Sequence, residues 1–310
     1  MTVKIRLKGH ESFSLREGWL RKGIAAIEEY NLPNMTDEDA KDIFSRDDAV
    51  DILGVGSNMV KSIKYWLQAC GLIEELRTKK GRRISKLSQP FGMLINKYDP
   101  YFEEIFTLWL MHYKLVTNKE NATAWYVFFN DLKAQEFRKK ELFDGLSLSL
   151  SKLDPEIGFS EKSLQDDCSC IIKTYYSNHE DLISPEESLS SPLVELGLIG
   201  CKNSSNEKEV FYKKKPQKDA LDPLVVLYVI LEQLGNEKST TIDRLISDDC
   251  NVGNVFNLDR VQVNYYLDSL ERLGYIEVNR TAGLDTVYLK SKIRCEDVLE
   301  NYYEQLRSEA

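Results

Sequence analysis

The stretch GHESFSLREGWLRKG, residues 9–23, gathers His10, Glu11, Arg16, Glu17 and Trp19 into a loop and a first helical turn. One imidazole and two carboxylates this close in sequence have the chemistry to ligate a divalent metal or to move a proton, which makes His10, Glu11 and Glu17 the candidate catalytic groups. The structural alternative is equally concrete. Glu17 complements a helix N-terminus, and Arg16 and Arg21 offer surface ion pairs.

Other acid-base material is sparse. His112 and His179 are isolated, which argues against a His-based metal site. DLKAQEFRKK places Asp131, Glu136 and Lys139 on what reads as one continuous helix, so it lacks the strand setting of a metal-dependent nuclease site. Cys168 and Cys170, two apart on a helical segment, point in different directions and suit one metal ion poorly. The six cysteines have no paired CxxC spacing and read mostly as core thiols. No phosphate-binding loop, dinucleotide fingerprint or nucleophile elbow is present, so any ATP hydrolysis belongs to a partner.

A different chemistry lies at LQACGLIEELRTKKGRRISKLS, residues 67–88, where TKKGRRISK carries five basic residues in nine positions. The chain as a whole has a formal net charge of −9, yet residues 56–90 hold eight Lys or Arg against two acids, a local +6. That charge follows a pattern of short helix, GVGS turn, longer helix and hairpin, the order of a winged helix-turn-helix unit. In the longer helix Met59, Val60, Ile63, Trp66, Leu67 and Cys70 recur at helical spacing, and Ser57 reads as the N-cap. Ser57, Asn58, Lys61, Ser62, Lys64 and Tyr65 are left for a DNA-facing side, and Arg77, Lys79, Lys80, Arg82, Arg83 and Lys86 for a hairpin gripping the backbone. The alternative is a unit that binds protein, its charge merely a solvated face.

The elements that position these residues recur. The junctions ACGLIEEL, ELGLIGCK and RLGYIEVN each lead from a helix into a hairpin. The C-terminal copy contains an apolar helix (DPLVVLYVILEQLG), a short helix (TTIDRLIS), a longer one (LDRVQVNYYLDSLERLG) and strands YIEVN and TVYLKS. The middle copy is weaker, with SEKSLQDDCSCIIKTYY as a helix, and before it a helical block near 91–150 carries aromatics at core spacing. The first helix is expected near 16–30, and MTDEDAKDIF reads as another short one. The predicted fold class is mainly α with small β-hairpins (α+β), as tandem winged helix-turn-helix units around a helical middle block. Three domains are expected, at 1–90, 91–218 and 219–310. Residues 259–294 hold six basic residues against five acids, so the last copy is read as a docking module or homodimer interface. LVVLYVIL is too short to cross a membrane, and the start has no apolar signal region, so a cytoplasmic protein is expected.

GHESFSLREGWLRKG, ILGVGSNMVKSIKYWLQACGLIEE and the pair DPYFEEIFTLWLMHYKLVTN and ATAWYVFFN, in that order, resemble DUF4007, a family of bacterial proteins found beside sulfurtransferase-like adenylating enzymes in DNA phosphorothioation and related defence operons. The resemblance implies a role in replacing a non-bridging phosphate oxygen of DNA by sulfur. It implies double-stranded DNA, a sulfurtransferase-like subunit and an ATPase subunit as partners, and a nick of one strand, with Mg or Mn as cofactor if cleavage occurs. No family catalytic residues are carried over. A noncatalytic adaptor, or a transcriptional regulator, is the alternative function.

Overall fold

The computed structural model describes residues 5–34, 40–153, 158–177, 190–202, 209–217, 219–283, 285–290 and 292–309. MTDEDAKDIF falls partly outside them, and its visible end is a 3-10 turn at Ile43–Ser45. The C-terminal part of the first expected helix is a π turn, Ile27–Asn31, continuing α1 (Trp19–Ala26). α2 (Ala49–Leu53) and α3 (Ser57–Ala69) follow, and Val60, Ile63, Trp66 and Leu67 of α3 are buried at the spacing of its apolar stripe. Gly56, not Ser57, holds the N-cap position, and no side chain caps that end. Gly71, at φ 70°, turns the chain into β1 (Ile73–Arg77) and β2 (Arg83–Leu87), which pair antiparallel from Ile73 with Leu87 to Arg77 with Arg83.

α4 (Phe91–Tyr98), α5 (Ile105–Thr117) and α6 (Thr123–Asn130) form the aromatic block, with Phe106, Trp109, Tyr113, Trp125 and Phe128 all buried, as core spacing predicts. The continuous helix expected over DLKAQEFRKK does not form. The chain leaves α6 at Asn130, makes a short strand β3 (Glu136–Phe137) and starts α7 (Lys139–Leu153) only at Lys139. The reason is local: the Asn130 side chain donates to the Val116 and Tyr126 carbonyls, closing the helix end against α5.

α8 (Glu161–Tyr175) leads toward a hairpin of β4 (Ile199–Lys202) and β5 (Val210–Lys213), whose connection at 203–208 lies outside the described residues. Immediately before that hairpin stands a 3-10 turn, Pro192–Leu196, where the other units carry a long helix. The C-terminal unit is fuller: α9 (Pro223–Leu234), β6 (Ser239–Thr241), α10 (Ile242–Ser247), α11 (Val252–Val255), α12 (Arg260–Arg272), β7 (Ile276–Asn279) and β8 (Thr286–Leu289). Pro223 opens α9 behind an Asp222 cap, and Asp259 with Gln262 forms a capping box on α12. Two three-stranded sheets share one strand order, β3-β5-β4 and β6-β8-β7. α13 (Cys295–Glu309) closes the chain by packing on α4 and α9, with the Tyr303 ring stacked 5.1 Å from that of Tyr98.

One hydrophobic core runs from Leu15 to Tyr303, across the boundaries expected at 90/91 and 218/219. His112 ties its centre together. Its Nε2 donates to the Val255 carbonyl (2.6 Å) and its Nδ1 accepts from the Tyr175 hydroxyl (2.8 Å), and complete burial lowers its pKa to about 4. Among the described residues no helix is long and apolar enough to cross a membrane.

Candidate nucleic-acid interface

Segment 5–16 is a strap laid across α3 and α8. Lys8, Glu11 and Ser12 all sit at positive φ, at 57°, 50° and 69°, a conformation costly for side chains other than Gly and held here from outside. The holding group is Asp167 on α8. Its Oδ1 accepts from the Lys8 backbone N–H (2.9 Å) and bonds His10 Nε2 (2.7 Å), while neighbouring Asp166 takes the Lys8 ammonium (2.7 Å) and the Ser12 hydroxyl. A Cβ on Gly9 would stand 2.5 Å from the Tyr65 ring, so this close approach of strap to α3 requires glycine.

His10 is therefore inside the protein, fully buried among the rings of Tyr65, Trp66 and Trp125. Burial works against its charged form, but the Asp167 carboxylate bonded to Nε2 outweighs it and raises its pKa. Burial raises the Asp167 carboxyl too, against the pull of His10, so the pair holds its shared proton firmly. The three acid-base candidates do not converge: Glu11 stands half-exposed 4.0 Å from Lys61, and Glu17 is exposed at the entry to α1. Asp167 was not foreseen, because its partner lies 157 residues away in sequence. Cys168 and Cys170 are buried free thiols, as is Cys70.

On α3 the expected DNA face divides. Ser57, Asn58 and Lys61 are exposed, but Ser62 and Tyr65 are buried, so these two are unavailable to a duplex. The helix is covered on a second side, where Tyr65 packs under the strap and toward Trp125. Lys64 is engaged internally, bonded to buried Asp42 (2.8 Å) and to Glu75 on β1 (3.0 Å). Burial opposes its charge, yet the two carboxylates raise its pKa. Glu75 also takes Arg83 (3.1 Å), and Lys86 pairs with Glu74 (2.9 Å).

The hairpin tip is built by a tight turn in which the Gly81 N–H donates to the Thr78 carbonyl (2.9 Å), with Gly81 at φ 80°. Arg77, Lys79, Lys80, Arg82 and Arg83 are all exposed around it, and among the described residues Arg77 and Lys79 make no ion pair. The tip is continuous with the helix through Glu75, which joins Lys64 to Arg83 one turn along from Lys61. In the C-terminal unit three arginines are closed by carboxylates: Arg260 by Asp243 and Asp285, Arg280 by Asp268, and Arg294 by Asp297.

These features define a mixed α and β protein of repeated helix-and-hairpin units, one of which exposes a basic hairpin. The chain belongs to the family described as Protein of unknown function (DUF4007), whose profile matches residues 7–303. Two solved structures are similar to it. The SspB crystal structure matches at TM-score 0.79 and 25% identity, over 99% of this chain and 91% of that one. Magnesium ion-bound SspB matches at TM-score 0.79 and 24% identity, over 97% and 89%. No curated protein matches. Among the described residues no group of three or more His, Cys, Asp or Glu is arranged to hold a metal ion.

Proposed function

We propose that this chain is the DNA-binding subunit of a bacterial DNA phosphorothioate modification or defence system. Family membership and the likeness to SspB support the system. The DNA contact is supported above all by one observation, the exposed cationic tip at 77–83, whose Arg83 is linked through Glu75 to Lys64 of α3, one turn from exposed Lys61. In this reading Ser57, Asn58 and Lys61 approach base edges or phosphates, while Arg77, Lys79, Lys80, Arg82 and Arg83 grip the backbone. Of the three acid-base candidates, Glu11 lies beside this surface, 4.0 Å from Lys61, and is where a strand-nicking activity would be sought.

The C-terminal unit supports a second contact, with protein. Val261 and Tyr265, one turn apart on α12, are 77% and 38% exposed, and Leu273 is 59% exposed, while Arg260 and Arg280 of the same unit are paired with Asp243 and Asp268. This is the surface for a partner subunit or a second copy. The test of the DNA assignment is affinity for a duplex measured against salt. Unchanged affinity on replacing Lys79, Lys80, Arg82 and Arg83 together by Ala would overturn it.

A further inference from the structure

A cavity of about 260 Å³ lies between β5 of the middle unit and the α10–α12 region of the C-terminal unit, lined by Lys133, Lys213, Lys215, Asn254, Asn257 and Asp259 among others. Its charge is unbalanced. Asp259 is the carboxylate in the lining, and it is bound to Lys215. Glu136, on the strand next to β5, is bound to Lys202. Lys133 and Lys213 thus face the cavity with no carboxylate of their own among the described residues.

Both ammoniums are held in place by neutral groups. Lys213 Nζ donates to the carbonyls of Phe128 (2.7 Å) and Leu132 (2.6 Å) and sits 4.7 Å from the Phe128 ring centre. Lys133 Nζ donates to the Asn130 carbonyl (2.9 Å) and to Asn254 Oδ1 (3.2 Å). An ammonium has three N–H donors, so each lysine keeps one for an acceptor inside the cavity. Burial, with the Lys133 charge adding to it, lowers the Lys213 pKa to about 7. An anion placed between the two would reverse the second cause and offset the first.

We propose that this cavity is a binding site for a small oxyanion of the phosphate class, held between Lys133 and Lys213. Its volume falls just under the range of about 300–1,000 Å³ typical of drug-sized ligands, which suits one or two phosphoryl groups rather than a whole nucleotide. None of its residues belongs to the 57–86 surface, so the site stands apart from the DNA assignment.

Sulfate is the first probe, because its charge is constant across the pH range used. Calorimetry on the full chain at fixed ionic strength should show saturable binding that weakens as pH rises from 7 to 8.5, approaching about tenfold per unit, as expected when one proton is taken up with the anion. Lys133→Ala, at an exposed position, and Lys213→Met should each weaken it by about tenfold or more. If Lys213→Met fails to fold by circular dichroism, Lys133→Ala carries the test. Absence of binding, equal binding in the folded variants, or affinity independent of pH overturns the proposal. A 5′-phosphorylated dinucleotide then distinguishes sources: displacement of sulfate assigns the pocket to a polynucleotide end, and its failure beside displacement by inorganic phosphate assigns it to the free oxyanion.

Discussion

The basic residues of the N-terminal unit divide into those that hold the fold and those available to DNA, and the two groups predict opposite phenotypes. Lys64 lies 2.8 Å from Asp42, a buried carboxylate that also accepts from Asn31, the Ser85 N–H and the Ser85 hydroxyl. Lys64→Ala leaves that charge without its cation, and removal of one partner of a buried pair costs about 3 kcal/mol or more. It should lower the urea midpoint clearly while leaving the salt dependence of DNA binding by the folded protein unchanged. Arg77 and Lys79 are exposed at the tip and make no ion pair among the described residues, so Arg77→Ala with Lys79→Ala should leave the midpoint almost unmoved. Each phosphate contact contributes about −0.9 to the slope of log affinity against log salt, so the double variant should reduce its magnitude by up to about 1.8. Between 50 and 200 mM salt, that makes the fall in affinity smaller by about tenfold. Fluorescence anisotropy with a labelled duplex across that range measures it. A wild-type slope near zero, or a double variant with the wild-type slope, refutes the division of charge.

Three further outcomes follow from the interior. His112 has a pKa of about 4 against 6.5 when free, so the unfolded chain binds the proton first as pH falls; stability should drop between about pH 6.5 and 4 by about 3 kcal/mol, and urea titrations of His112→Gln should lack that loss, so that it appears in the difference between wild type and variant. Asp167→Ala removes the acceptor for His10 and for the Lys8 N–H and should cost about 3 kcal/mol, with faster proteolysis within 5–16, whereas Asp167→Asn keeps an acceptor and should cost less; equal protection in the Ala variant counts against the strap. A Cβ on Gly253 would fall 2.2 Å from the Ile246 carbonyl oxygen, so Gly253→Ala should destabilise by about 1–3 kcal/mol, while Gly158→Ala, with nothing within 4 Å among the described residues, should stay within about 0.5 kcal/mol by thermal denaturation.

What could be read from the chain followed the range of the interaction that fixes each feature. α3 and its hairpin were legible because apolar spacing and a Lys-Lys-Gly turn are local signals. β3 and β6 were not, since Glu136–Phe137 and Ser239–Thr241 are too short to show alternation and exist as strands only by pairing with β5 and β8. Ser62 and Tyr65 were placed outside because a surface helix is expected to bury one stripe, and α3 is covered on a second side by residues distant in sequence. His10 looked reactive for a similar reason: nothing near it in sequence announces Asp167.

The same long-range contacts bear on how the basic surface works. α3 is fixed at several points by the middle block. Asn118 donates to the Gln68 and Ala69 carbonyls at its C-terminal end, Arg6 of the strap reaches Gln68 and Asn121, and the Arg6 N–H is held by Thr123. The Trp66 indole and the Cys170 thiol both donate to the Phe13 carbonyl, so α3, strap and α8 share one anchor. A repeated helix-and-hairpin unit usually packs on neighbours through apolar faces that could slide, whereas here directional hydrogen bonds set the register of α3 against α5 and α8.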